Sequence, residues 1–290
     1  WLDESVYGTI VHDVFEKIYN EQLKSSPEGA VITADIIDSI ISAPHKIENY
    51  ITRAINEFHL RKGKECYDEF HRELQLTREV IAENVRKVLE REKAFAPFTY
   101  LHSEWNEYTR LTFTNSEGQS ESINLNCRID RIDRCHNNPD IDRIRVIDYK
   151  TGGDDTHTPS FAKSFDDHKV KAFLQLMIYC QALEHIEGYT LPIQPMIFKL
   201  RTLMISDIPA LTIGEAPIPD TGYESGAVQI SRSKYQIYDY RAYRQNFNDV
   251  LVAKLQELFD ENQPFYCTDD DNKCSYCAFR EMCRREPIKF

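Results

Sequence analysis

Between Ile123 and Gly153 the chain reads INLNCRIDRIDRCHNNPDIDRIRVIDYKTGG, two runs of alternating apolar and polar residues around a polar turn. Alternation of this kind predicts β-strands, because successive side chains of a strand face opposite sides of a sheet. In the first run Ile123, Leu125, Cys127 and Ile129 share the apolar side, and Asp130 falls on the other. In the second, Val146, Asp148 and Lys150 project one way while Arg145, Ile147 and Tyr149 project the other. Asp148 and Lys150 are thereby set about 7 Å apart along one pleated face. Paired as a hairpin across Asn137, Asn138 and Pro139, the two runs bring Asp130 and Asp148 to one small volume beside Lys150.

Helical periodicity marks the flanks. Residues Tyr7 to Gln22 carry an apolar stripe of Val11, Val14, Phe15 and Ile18, with His12 on its border and Glu16 one turn on. A lone histidine there is ordinarily a hydrogen-bonded core residue. Gly8, one turn before His12, would let a backbone or a phosphate approach closely. Residues Thr33 to Leu60 have weaker helical signals interrupted by Pro44, and Leu74 to Glu92 read as a charged amphipathic helix closed by Pro97. Thr99 to Phe113 alternates as a strand, on which Glu104 can join the acidic site, and Asn115 to Gln119 turns it into the Ile123 run. A polar loop, Asp154 to Asp167, precedes a helix over Lys169 to Glu184. That helix sets Gln175 and Tyr179 on one face. Pro192 to Leu203 reads as a strand, Ile208 to Gly226 as a Pro/Gly-rich loop, and Tyr240 to Asp260 as a long amphipathic helix.

Composition narrows the classes. A length of 290 residues allows one elaborated domain or a domain with an appendage, and 41% hydrophobic with 28% charged residues is ordinary for a globular protein. No apolar run reaches the roughly 18 residues of a membrane span, and no secretory signal precedes the fold. The chain begins at Trp1, which reads as a fragment or processed product with some functional parts outside it. A net charge of −12 argues against a simple high-affinity nucleic-acid binder, though not against an enzyme that meets phosphates in a local groove. Lys163, Lys169 and Lys171 form the cationic cluster near the acids; they can meet phosphates or simply be a solvated helix start.

Two features carry chemistry. Convergent carboxylates are hard oxygen ligands suited to Mg2+ or Mn2+. The tail, CTDDDNKCSYCAFREMCRR, spaces Cys274, Cys277 and Cys283 as C-x2-C-x5-C, and four of the eight cysteines fall in the last 24 residues. Such crowding fits a reduced intracellular protein with a metal or cluster site better than a disulfide framework. Three close thiolates can bind Zn2+ or hold an iron-sulfur cluster, and either needs a fourth ligand. Cys267 is the nearest candidate, with Cys66 or a residue outside the chain as alternatives.

Taken together, G-T-I-V-H at Gly8 to His12, R-I-D-R-I-D at Arg128 to Asp133, I-D-Y-K-T-G at Ile147 to Gly152, Q-L-M-I-Y at Gln175 to Tyr179 and the terminal cysteines resemble the RecB/AddB-like branch of the PD-(D/E)XK nuclease superfamily. The motifs occur in that family's order from residue 8 to residue 283. The resemblance implies an α/β, restriction-endonuclease-like central mixed sheet flanked by helices. It implies a metal, Mg2+ or Mn2+, held by His12, Asp130, Asp148 and the Tyr149 carbonyl, with Lys150 orienting the attacking water and Gln175 and Tyr179 lining the site against DNA. It further implies a 4Fe-4S cluster, zinc being the alternative, on Cys274, Cys277 and Cys283 with a first ligand far N-terminal to them, a place that Cys267 or a residue outside the chain would take here. The chain departs from the pattern in carrying Cys127 where a glycine often precedes the first aspartate, and in having no cysteine before His12.

The reading is a nuclease domain over 1–265, with a helical insertion near 30–95, and a cysteine-rich tail over 266–290. Its activity would be that of a metal-dependent DNA exonuclease working with a helicase domain or subunit in double-strand-break processing. The rival is a nuclease-like DNA-binding scaffold without catalysis, which metal titration distinguishes.

Overall fold

The structure is a computed structural model that describes residues 3–23, 29–59, 72–136, 142–153, 155–200, 209–219, 221–264, 268, 274, 277 and 279–283. In chain order it comprises α1 (Glu4–Leu23), β1 (Ala30–Ile32), α2 (Ala34–Ile41), α3 (Pro44–Ala54), α4 (Arg72–Glu92), β2 (Phe98–Thr114), β3 (Ser120–Cys135) and β4 (Arg143–Lys150). There follow β5 (His157–Thr158), α5 (Phe161–Ser164), α6 (Lys171–Glu187), β6 (Ile193–Lys199), β7 (Thr212–Ile213), β8 (Ala227–Ser231), β9 (Lys234–Ile237) and α7 (Arg244–Leu258). Two units are distinguished, one of residues 1–111 with 122–250 and one of residues 112–121 with 251–290.

In the larger unit the order β1-β2-β3-β4-β6 makes a mixed sheet, antiparallel except where β4 runs parallel to β6. The expected α/β fold, a central mixed sheet between helices, is what the structure has. Ile10, Val11, Val14, Phe15 and Ile18 of α1 are wholly or almost wholly buried, each contributing roughly 1.5–3 kcal/mol. They share one core with α2, α3, α4 and with Ile147, Tyr149, Met196 and Phe198 of the sheet. Helix α6 packs on β4 and β6 through a second apolar set that includes Phe173, Leu176, Met177 and Cys180.

Local sequence explains the boundaries. Thr33 caps α2 by accepting a hydrogen bond from the Ile36 amide, and Pro44, expected as an interruption, instead opens α3 at its first turn, where proline lacks no needed donor. Asn115 closes the β2–β3 hairpin by accepting from the Glu117 and Gln119 amides.

Several expectations need correction. The loop foreseen over Asp154 to Asp167 contains β5 and α5, and the loop over Ile208 to Gly226 contains β7. With β9 and β8 these build a second sheet, ordered β5-β7-β9-β8, that the pattern did not announce. Two-residue strands are too short to show a period, so only their long-range pairing reveals them. The helix foreseen from Tyr240 begins as a 3-10 turn, and α7 proper starts at Arg244. The turn at Asn137 to Pro139 and residues 201–203 lie outside the described residues. No described helix is long and apolar enough to cross a membrane.

Candidate metal-dependent active site

Cross-strand register positions the two aspartates. Arg131 pairs with Ile147, Ile132 with Val146 and Asp133 with Arg145, so one step further along the same register sets Asp130 opposite Asp148. The foreseen parity holds: Asp148 and Lys150 face a cleft of about 490 Å³, together with Asp130, His12, Gln175 and Tyr179.

His12 comes from α1. Its Nε2 lies 2.9 Å from the Tyr149 carbonyl, and its Nδ1 lies 3.4 Å from Asp130 Oδ1 and 3.8 Å from Glu104 Oε1. A carbonyl only accepts, so Nε2 donates there, and Nδ1, facing two carboxylates, is the nitrogen that carries a proton without a metal and would give it up to ligate one. Burial alone would lower the imidazole pKa, but the Asp130 hydrogen bond and the Asp130 and Asp148 charges outweigh it and hold His12 up to about 9. Asp130 in turn accepts the Tyr149 amide at 2.7 Å through Oδ2. Asp148 is likewise pushed up, to about 6, chiefly by burial and then by Asp130, with Lys150 and His12 opposing. Lys150 Nζ donates to Asp148 Oδ1 at 3.1 Å and reaches Gln175 Oε1 at 3.5 Å, and Gln175 donates to the Tyr179 hydroxyl at 2.6 Å. Asp148 Oδ2 is buried and lies 2.9 Å from Nζ, but at an angle that makes no hydrogen bond.

Glu104 joins this group more closely than the strand pattern of β2 indicated. It is the one non-glycine residue with positive φ among the described residues, at 47°. A left-handed glutamate costs roughly 1–2 kcal/mol. Arg128 Nε holds Glu104 Oε2 at 2.6 Å, which keeps the carboxylate aimed at the cleft. Ligand atoms of His12, Glu104 and Asp130 all lie within 4.8 Å of one another. One nitrogen and carboxylate oxygens, beside a buried carboxylate oxygen with no hydrogen bond, fit a hard divalent cation. Phe58 and Arg128 also line the cleft and were not foreseen. Strand parity two residues before Asp130 could have found Arg128. Phe58 belongs to a π-helical turn, Ile55–His59, which has no such signature.

The sequence model of the PD-(D/E)XK nuclease superfamily matches residues 2–284. The chain belongs to that superfamily. No curated protein matches it. Members of this superfamily are typically metal-dependent nucleases, and Asp148-Tyr149-Lys150 has the D-x-K spacing of the superfamily's name, with Asp148 and Lys150 lining the cleft.

Behind the cleft this superfamily member carries a buried charge network. Arg131 donates to Glu92, to Asp133 and, at 2.9 Å, to the Tyr149 hydroxyl, and its guanidinium lies 4.4 Å from the Tyr19 ring centroid. Lys163, Lys169 and Lys171 are exposed and do not line the cleft. In the smaller unit the Cys277 amide donates to the Cys274 carbonyl at 3.1 Å and the Cys283 amide to the Phe279 carbonyl at 3.3 Å; Cys267 lies outside the described residues.

Proposed function

We propose that this chain is a divalent-metal-dependent deoxyribonuclease domain that hydrolyses phosphodiester bonds, with Mg2+ or Mn2+ held by His12, Asp130, Asp148, the Tyr149 carbonyl and Glu104. The observation that carries the reading is the Asp148–Lys150 pair in one cleft with the His12, Glu104 and Asp130 donors. A cation bound there supplies Lewis-acid polarisation of the phosphoryl oxygen and acidifies the attacking water. Lys150, tethered by Asp148 and Gln175, presents Nζ as a hydrogen-bond donor that orients this water and offsets charge developing on phosphorus. Gln175 and Tyr179 support the amine from α6.

The motif order supports the RecB/AddB-like branch and, with it, DNA as substrate, residues 1–265 as the catalytic domain, a helicase domain or subunit as partner, a role in double-strand-break repair and a cytoplasmic location. Lys163, Lys169 and Lys171 are assigned to more distant phosphates. The C-x2-C-x5-C spacing supports a 4Fe-4S cluster, or zinc, on Cys274, Cys277 and Cys283 with Cys267 as fourth ligand. Degradation of linear DNA with Mn2+, compared among the unmodified protein, Asp148→Ala and Lys150→Ala, tests the assignment. Each substitution is expected to lower kcat by about 100-fold or more. Equal activity in the variants would overturn it.

A further inference from the structure

The ladder that joins β3 to β4 runs from Cys135 opposite Arg143 to Arg131 opposite Ile147. Past that point the main chain of Tyr149 bonds side chains of the site: its amide donates to Asp130 Oδ2 at 2.7 Å, and its carbonyl accepts from His12 Nε2 at 2.9 Å. One residue's backbone therefore meets both the aspartate and the histidine. On its other edge β4 stays paired with β6, where Tyr149 stands opposite Phe198. A strand held along one edge can still turn about it, and such a turn would move Asp130 and His12 together.

What opposes the turn is the Tyr149 side chain. Its ring is buried and stacks on Phe15, with 4.4 Å between centroids and 8° between planes. Stacked rings resist tilting more than sliding, and the hydroxyl stops the slide, because Arg131 Nη1 donates to it at 2.9 Å. Arg131 is a fixed post. Glu92 accepts from both of its Nη groups, at 3.1 and 2.8 Å, and Asp133 accepts from its Nε at 2.9 Å. A planar guanidinium gripped in this way under full burial has one orientation. We propose that the Tyr149 hydroxyl is a positioning group for the metal site. Through Arg131 it sets the peptide groups of residue 149, and through them it keeps Asp130 and His12 in the arrangement where their ligand atoms gather with that of Glu104 within 4.8 Å. This rests on the metal-dependent reading for what the site holds, and it gives the buried charge network a part in metal binding.

Tyr149→Phe tests it, since phenylalanine keeps the ring, the amide and the carbonyl and loses the hydroxyl alone. Tyr100→Phe is the comparison: it too removes a hydroxyl from a buried residue, one that donates to Asn20 at 2.8 Å and not to Arg131 or Tyr149. Mn2+ affinity is read by titration calorimetry at a temperature where circular dichroism shows the proteins folded. Tyr149→Phe is expected to weaken the Mn2+ Kd about tenfold, as loss of a partner behind a ligand does, and Tyr100→Phe to leave it unaltered. An unaltered Kd in Tyr149→Phe, an equal loss in Tyr100→Phe, a Tyr149→Phe chain that does not fold, or no Mn2+ binding by the unmodified protein overturns the proposal. Mn2+-dependent cleavage of DNA is scored separately. If the Kd values move as expected and no DNA is cut, hydrolysis fails as the function while the positioning role stands. If DNA is cut and the Kd is indifferent to the hydroxyl, the positioning role fails while the nuclease reading stands.

Discussion

Replacing Asp133 by asparagine is predicted to cost about 3–5 kcal/mol of folding stability, the usual range for removing one partner of a buried ion pair. Asp133 is fully buried and accepts from Arg131 Nε at 2.9 Å and Nη2 at 2.5 Å, and from Arg145 Nε at 2.5 Å and Nη2 at 2.8 Å. Glu92 is the second buried acid of the group, within 2.8 Å of Arg131 and 3.9 Å of Arg145. Two acids therefore balance two guanidinium groups. Asparagine keeps the volume but leaves one positive charge uncompensated in a fully buried site, and turns an amide donor toward donors. Against a total domain stability of about 5–15 kcal/mol the loss is large.

Urea denaturation followed by circular dichroism measures it, with an unaltered m-value showing that stability alone has moved. Arg145→Gln restores the balance of charge in the Asp133→Asn background, so the double variant should lose far less than the sum of the singles. A loss under about 1 kcal/mol, or strict additivity, would refute the reasoning. The acid limb offers a second check. Burial raises the Asp133 pKa, but Arg145 and Arg131 outweigh it and leave the carboxyl below its ordinary 3.8. A depressed folded value means stability that is present above 3.8 and lost as pH falls through the folded value, so the unmodified protein should weaken on acidification below about 4 by a component the asparagine variant lacks. The network matters to the site because Asp133 and Arg145 are cross-strand partners. Their pairing opposes a register slip, and a slip of one residue would turn Asp130 or Asp148 to the other face.

Two further outcomes follow from the cleft. At position 104, Glu104→Gly should be more stable than Glu104→Ala by about 1 kcal/mol, the reverse of the order in an ordinary strand, because φ there is 47°; both should weaken Mn2+ binding about tenfold or more by titration calorimetry. In metal-free protein the His12 pKa is raised from 6.5 to about 9, so its contribution to stability is complete below 6.5 and is lost as pH rises through about 9. Melting curves in chelator should show that decline, and His12→Ala should remove it.

What the chain disclosed of itself follows from how local each constraint is. Strand parity is a two-residue rule, and it placed Asp148 with Lys150 and turned Tyr149 toward Arg131. Helical spacing placed Gln175 within hydrogen-bonding distance of Tyr179, and α1 carries His12 to the Tyr149 carbonyl. Glu104 was harder to read because its contribution depends on a left-handed backbone in a long strand, a conformation that no periodicity encodes and that Arg128, from the neighbouring strand, holds in place. The second sheet was hidden for a related reason: β5 and β7 find their partners only across tens of residues. Buried Arg131 and Asp133 were legible as letters of R-I-D-R-I-D but not as core, since charged residues are seldom fully buried and their partners Glu92 and Arg145 lie elsewhere in the chain. The same repeat thus does two jobs of opposite polarity. Asp130 turns toward the cleft, where its carboxylate gathers with His12 and Glu104 as donors a metal could use, whereas Asp133, three residues on, is paired with Arg131 and Arg145 and locks the strand that presents it.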